Sequence, residues 1–295
     1  MNKRLFISFS GGETSAFMAQ WLLKNKAHEY DETICLFANT GQENEETLEF
    51  VERCDREFGL NVVWLEAEVF HGERKSNGHK VVDFNTASRC GEPFEEMIKK
   101  YGIPNQAWPH CTRELKLNPM RSYLRSIGWK PGECDTAIGI RTDEIDRVSP
   151  KRKELRLIYP LISDAPMTKP KINEWWNNQP FRLRLKGYEG NCKWCWKKSL
   201  RKHLTLVSEH PDWYDFPQRM EAEHGLSGHN IDGTKRTFFR KNMSTIDIRK
   251  MAGRGAFEPA SDDSIPHTHQ MDLELDASNG CSESCEVDFS EAADE

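Results

Sequence analysis

Apolar positions fall first into short continuous runs and then into helical stripes. Arg4-Leu5-Phe6-Ile7-Ser8-Phe9 is a buried-type strand that runs into Ser10-Gly11-Gly12. Thr14 to Lys24 sets Phe17, Met18, Trp21 and Leu22 at helical spacing. Thr33 to Ala38 is a second apolar strand, closed by the turn Asn39-Thr40-Gly41. Glu45 to Phe58 is an amphipathic helix with Leu48, Val51 and Cys54 on one side, and Asn61 to Leu65 is a third strand. This β-α-β-α-β alternation predicts an α/β, doubly wound, Rossmann-like fold: a mostly parallel sheet with helices on both faces. Right-handed crossovers gather the loops at the strand carboxyl ends, where such sheets bind ligands.

Beyond residue 70 the pattern loosens. Residues 70–110 read as loop-rich, with a short helix from Pro93 to Tyr101. Asn118 to Ile127 reads as a helix opened by Pro119. Asp135 to Ile140 is a fourth strand containing Gly139, and Ile172 to Asn177 a short helix. Ser199 to Glu209, Phe216 to Glu223 and Arg240 to Met251 complete the helices. No internal repeat is visible.

Composition narrows the setting. The chain has 295 residues, 30% of them charged, and no run near the roughly 20 apolar residues of a spanning helix. A cytoplasmic protein with no membrane partner is expected. Nine cysteines, an odd number at uneven spacing, argue against a disulfide framework and leave room for metal, redox or buried thiols. The net charge of −6 conceals a split: residues 258–295 hold 12 acidic residues and no Lys or Arg, whereas residues 151–204 hold 14 basic against 4 acidic. A basic body implies anionic partners, nucleotide phosphates or a nucleic acid such as RNA, or else a plain solvated face. The acidic tail reads as disordered, or as a cover folded back on the basic face.

Two constellations carry chemistry. In Ser8-Phe9-Ser10-Gly11-Gly12-Glu13-Thr14-Ser15 a strand ends, two glycines let a ligand approach the backbone, and a helix begins. Backbone N–H groups and the helix dipole then converge on one spot suited to a pyrophosphate. The alternative is a tight turn with an ordinary hydroxyl cap. In Cys192-Lys193-Trp194-Cys195 two thiols two residues apart can share a metal or cluster, or run thiol-disulfide chemistry. Aromatic residues crowd the same basic stretch: Trp175, Trp176, Phe181, Tyr188, Trp194, Trp196, Trp213 and Tyr214. They would serve as stacking platforms for RNA or, more ordinarily, as core.

The Ser-Gly-Gly-Glu-Thr-Ser stretch resembles the pyrophosphate (PP) loop of the adenine-nucleotide alpha-hydrolase superfamily, and within it the likeness is to the phosphoadenylyl-sulfate (PAPS) reductase family. Phe37 to Glu43 with Glu46-Thr47 resembles that family's Asp-Thr-Gly turn. Cys111 to Pro119 resembles its Cys-Cys-X-X-X-Lys-X-X-Pro segment, and Ile138-Gly139-Ile140-Arg141-Thr142-Asp143-Glu144 with Arg147 its Gly-Ile-Arg segment. The likeness spans roughly residues 3 to 200, so residues 1–200 are expected to form the nucleotide-binding domain, 201–257 a basic helical extension and 258–295 the tail.

The resemblance implies binding of ATP or PAPS by Ser8, Ser10, Gly11, Gly12, Glu13, Thr14, Ser15, Asn39, Thr40, Gly41 and Gly139. Lys116, Arg141 and Arg147 are candidates to neutralise a leaving pyrophosphate or sulfate, Arg being suited to bidentate oxyanion binding. Mg²⁺ is expected near Asp143, Glu144 or Glu43. Cys111 with Cys192 and Cys195 resembles the thiolates of the members that bear a four-iron four-sulfur cluster. Zinc is the alternative, and His110, Cys90, Cys281 and Cys285 compete as fourth ligand. The departures matter. Thr14 and Asn39 stand where Asp is usual, His110 replaces the first cysteine of the pair, and the reductases' carboxyl-terminal Glu-Cys-Gly-X-His signature is absent.

Three functions follow as expectations. The first is an enzyme acting at the alpha phosphate of ATP, with sulfur transfer to RNA or a small molecule and a sulfur or electron donor protein as partner. The second is a sulfonucleotide reductase using a tail thiol such as Cys281. The third is a non-catalytic nucleotide-binding or nucleic-acid-binding accessory protein.

Overall fold

Leu5, Phe6, Ile7 and Phe9 are wholly buried, which only a central strand with both faces covered allows. In the computed structural model, which describes residues 3–72, 75–228, 233–255, 257–262 and 264, they form β1 (Arg4–Phe9) in the middle of a six-stranded sheet. The other strands are β2 (Glu32–Ala38), β3 (Val62–Glu68), β4 (Gly78–Val82), β5 (Cys134–Ala137) and β6 (Leu157–Ile158), in the order β4-β3-β2-β1-β5-β6. β1 pairs in parallel with β2, from Arg4 opposite Glu32 to Phe9 opposite Phe37, and on its other edge with β5. β4 alone runs antiparallel, against β3.

The helices are α1 (Glu13–Asn25), α2 (Glu45–Phe58), α3 (Glu92–Tyr101), α4 (Asn118–Ser126), α5 (Pro160–Ser163), α6 (Lys169–Asn177), α7 (Leu200–Glu209), α8 (Asp215–His224) and α9 (Thr245–Gly253). Strand alternation distributes them. Leu5, Ile7, Phe9, Cys35 and Phe37 face one core with α1, α2 and α6, while Phe6, Leu36 and Ala38 face a second core with α4. A third cluster joins α3 to α7, α8 and α9 around the wholly buried Trp194. The helices of 201–257 therefore share a core with residues 67–115 and 188–196.

The β-α-β-α-β reading and the α/β class hold. β4 was missed because Gly-His-Lys-Val-Val carries no apolar run; its register on β3, Trp64 opposite Val82, makes it a strand. β5 stops at Ala137, short of the expected Ile140, since the Ile140 amide turns back to the Ile138 carbonyl at 2.9 Å. Pro119 does not open a helix. Helical backbone already begins at Cys111 and widens into a π-type turn over Arg113–Leu117. A proline lacks the N–H and crowds the carbonyl one turn back, and the wider turn relieves both.

Candidate functional site

From β1 the chain builds outward through β2 and β3, then returns to place β5 on the opposite edge of β1. The loops after β1 and β5 therefore diverge at a topological switch point, where such sheets open a crevice.

The loop after β1 is shaped by Gly11. Its φ is +84°, and an added Cβ would lie 2.9 Å from Thr47 Cγ2 and 3.0 Å from the Phe37 ring. Only glycine fits there. The Ser10 amide and hydroxyl reach Ser15 Oγ at 3.2 and 2.8 Å, and Ser15 Oγ donates to the Gly12 carbonyl at 3.0 Å. No side chain caps the amino end of α1 at Gly12, so its first-turn N–H groups stay available to an anion. Glu13 does not face that anion. Its carboxylate accepts from Arg182 Nε at 3.0 Å and from the Leu183 amide at 3.2 Å, and burial raises its pKa even so. The Trp176 indole donates to the Glu13 carbonyl at 2.9 Å, tying α6 to the same turn.

From the β5 side comes Arg141, buried, with Nη1 3.1 Å from Thr14 Oγ1. Its Nε reaches Asp143 at 3.0 Å, and Glu144 bridges Arg141 and Arg147. Threonine in place of the usual Asp thus gives Arg141 a neutral partner on the loop, while its carboxylate partners come from its own turn. Gly139 is buried just beyond the end of β5, and Ser8 is buried within β1. A pocket of about 50 Å³ opens beside the turn, lined by Gly12, Glu13, Thr14, Lys169, Arg182 and Lys186 among others.

A second pocket lies next door. Gly190 lines the first and Asn191 and Cys192 the second, so one short segment divides them. Cys111, Cys192 and Cys195 all line it, with Thr40, Lys116 and Trp196. Thr40 Oγ1 is 3.5 Å from Cys192 Sγ, and the Thr40 amide and hydroxyl both donate to Glu43. Lys116 Nζ is 3.8 Å from Glu43, with both side chains buried. Burial pushes the Cys192 thiol well above its ordinary pKa, and the Glu43 carboxylate adds to the shift. Such a thiol is inert unless a metal replaces its proton. Lys198, wholly enclosed beneath the turn, donates to the Tyr188 and Lys193 carbonyls, and burial lowers its pKa to about 8.

In donor chemistry the pocket suits a sulfur-ligated metal group, but among the described residues the three sulfurs do not all lie within 4.8 Å of one another, so they are not gathered around a single ion. Three soft ligands share one wall, and the buried Trp196 indole N–H has no hydrogen-bond partner, the kind of donor that cluster or thiolate sulfur accepts. The free volume beside them is about 20 Å³.

Several sequence-predicted residues lie elsewhere. The His110 ring turns to the Gly102 carbonyl at 3.2 Å and does not line the cysteine pocket, so it is no fourth ligand in this arrangement; burial lowers its pKa to about 4. Cys90 is exposed and lines a different cleft. Cys281 and Cys285 lie outside the described residues. Asn39 is wholly buried, donating to Glu66 at 2.7 Å and to the Ser88 carbonyl at 2.9 Å, so its side chain serves the scaffold. Gly41 makes room for Gly91, whose backbone would sit 2.9 Å from an added Cβ. Of the candidate Mg²⁺ carboxylates, Glu43 and Glu144 are buried and committed to cations, and Asp143 is the most open. The aromatic set is core: Trp176, Trp194 and Tyr214 are wholly buried, Tyr188, Trp196 and Phe181 nearly so, and Trp175 packs on Phe17. Trp213 is the exception: half-buried and stacked on His210, it lines an open cleft with Arg89, Lys193 and Arg219. Arg182, Lys198 and Glu66 were missed; a lone charge in a basic stretch carries no signal of burial.

This geometry, a glycine turn at the switch point of a parallel sheet with an arginine opposite and a cysteine pocket beside it, is that of an α/β protein of the PP-loop class. Residues 4–92 match the phosphoadenosine phosphosulfate reductase domain. An uncharacterized nin region protein, ORF290, of Escherichia phage lambda is 31% identical over 285 residues, 95% of this chain and 94% of that protein. Two uncharacterized proteins of Methanocaldococcus jannaschii are 28% and 29% identical over 124 residues, 42% of this chain and 20% and 23% of theirs. The chain belongs to the PAPS reductase-like family, whose members are generally enzymes acting on nucleotides. Among the described residues no helix is long and apolar enough to cross a membrane.

Proposed function

We propose that this protein binds ATP on the Ser10–Ser15 turn and adenylylates an acceptor oxygen at the alpha phosphate, releasing pyrophosphate, to prepare that position for sulfur transfer to RNA or a small molecule. The observation that carries the reading is the adjacency of the two pockets: an uncapped helix terminus faced by Arg141, and a three-thiol pocket one short segment away. The turn's N–H groups and Arg141 neutralise charge on the departing pyrophosphate, and the buried setting strengthens each of these interactions. Lys116, tied to Glu43, supplies positive charge at the cysteine pocket. Cys111, Cys192 and Cys195 would hold a four-iron four-sulfur cluster, or zinc, with a position left open for a sulfur species. Mg²⁺ would be shared between the nucleotide phosphates and Asp143. Catalysis then rests on positioning and charge neutralisation more than on a protein nucleophile.

The test is to incubate anaerobically purified protein with labelled ATP or PAPS and to assay pyrophosphate, AMP and sulfite together, alongside the visible spectrum and the iron and zinc content. Pyrophosphate release from ATP is expected, and Arg141→Ala should slow it about 100-fold or more. Sulfite from PAPS without pyrophosphate from ATP would overturn the reading in favour of a reductase.

A further inference from the structure

A cleft of about 460 Å³ borders the cysteine turn at Lys193, the residue after Cys192, a size that takes a small aromatic ligand. The Lys193 amide donates to the Gln42 carbonyl at 3.0 Å and the Trp194 indole to Gln42 Oε1 at 2.6 Å, so Gln42, on the cleft wall, ties it to that turn. Trp213 lines the same cleft. Its ring lies on His210 with centroids 4.1 Å apart and planes 10° from parallel. His210 Nε2 is in turn held 3.2 Å from the buried Glu189 carboxylate. One face of the indole thus rests on a fixed backing ring. No other ring among the described residues packs on Trp213, which stays half-buried while Trp176, Trp194 and Tyr214 are enclosed.

Charge decides what such a ring would hold. Arg89 is paired with Glu45, Arg219 with Glu95 and Asp215 with Arg249. Lys193 and Asp212 remain, and neither side chain has an ion pair among the described residues. The cleft therefore has little net charge to attract a phosphate backbone. It offers a stacking face with one free donor and one free acceptor, the complement of a base edge that carries both. We propose that this cleft binds an unpaired nucleobase stacked on Trp213, and that the acceptor is a single-stranded RNA and not a small molecule. The role as acceptor site rests on the sulfur-transfer reading; the binding does not. A duplex is excluded, because its bases are already stacked on one another and present no face to the indole.

Two measurements on the full chain test this. In the first, fluorescence anisotropy follows binding of a labelled RNA of about 12 nucleotides, single-stranded or in a duplex. The parent should prefer the single strand. Trp213→Leu should weaken that binding about 10-fold or more, while Trp213→Phe, which keeps an aromatic face, should lose about threefold or less. With Lys193 as the one unpaired cation of the cleft, log affinity should fall with log salt at a slope of about −0.7, a single phosphate contact. In the second, irradiation of the unaltered chain with a 4-thiouridine-substituted strand should crosslink the base to Trp213 or its immediate neighbours. Equal single-strand affinity of the parent and Trp213→Leu overturns the proposal, as do tighter binding of the duplex, a slope several times steeper or crosslinks only elsewhere. Free nucleosides that compete as well as the strand would assign the cleft to a small molecule and overturn it too. If the strand binds through Trp213 but ATP releases no pyrophosphate in its presence, the adenylylation reading fails and the cleft stands. Pyrophosphate release with unimpaired strand binding by Trp213→Leu removes the cleft and leaves that reading in place.

Discussion

Asn39 stands where the Asp-Thr-Gly turn that this segment resembles has aspartate, and its neighbour gives that a physical reason. Glu66, itself buried, accepts from Asn39 Nδ2 at 2.7 Å and from the Ser88 amide at 2.6 Å. An aspartate there would set two carboxylates together in a dry site, and one would have to take a proton. Asn39→Asp should therefore cost about 2–4 kcal/mol at pH 7, with part of the loss recovered at pH 5. Urea unfolding at both pH values measures this, and an unchanged midpoint at pH 7 would show that the pair is not enclosed. His203 makes a second prediction at this scale. Its Nδ1 meets the Tyr214 hydroxyl at 2.8 Å, and burial lowers its pKa to about 3. An unfolded histidine titrates near 6.5, so between those values the unfolded chain holds a proton that the native one refuses. Stability contributed by the neutral ring is present above about pH 6.5 and is lost as the pH falls. From pH 7 to pH 5 this group should cost about 2 kcal/mol. A His203→Gln chain should lose less by that amount across the interval.

The turn between β1 and α1 is the element on which the proposed nucleotide binding depends. Gly11 is pinned by its positive φ and by Thr47 and Phe37 of the neighbouring strand and helix. Gly11→Ala should destabilise the fold by about 1–3 kcal/mol and weaken pyrophosphate binding, because relief of the clash moves the N–H groups that face the anion. Calorimetry with magnesium pyrophosphate reads the second effect, and binding equal to the parent would remove the turn from the site. The turn at Cys192–Cys195 is held differently. Trp194 lies between its two cysteines and lines their pocket, donating to Gln42 at 2.6 Å and packing on Phe94, Phe216 and Phe238 with ring centroids 5.1, 5.7 and 4.6 Å away. Trp194→Ala should cost about 3–5 kcal/mol and should lower the metal bound per chain, whereas Trp194→Phe should retain more of both. Metal content that is the same in all three proteins would uncouple the tryptophan from the cysteine pocket.

At the scale of the whole molecule, two structural units meet at one place. The doubly wound sheet contributes the glycine turn, Arg141 and Thr40. The cluster of α3, α7, α8 and α9 contributes, through Trp194 and Lys198, the rigid turn that carries Cys192 and Cys195. Sequence alone determined the first unit, because a central strand buried on both faces and helices of period 3.6 are local patterns that tertiary contacts merely confirm. Strand β1 and helix α2 fall on their predicted bounds for that reason. It also singled out the glycine turn and the Cys192–Cys195 spacing, since both are short-range chemistry. Sequence could not determine β4, whose polar residues become a strand only by pairing with β3, nor the π-type turn that absorbs Pro119. It could not tell that most of the aromatics of 175–214 are core, because periodicity does not separate a buried ring in a loop from an exposed one. Above all, the placing of Cys111 and Cys192 on one pocket and the hydrogen bonds of Arg141 with Thr14 and of Arg182 with Glu13 span 81, 127 and 169 residues. Contacts at such separations have no local signature; they exist because the crossovers of the sheet and the packing of the helices bring distant loops to the same edge.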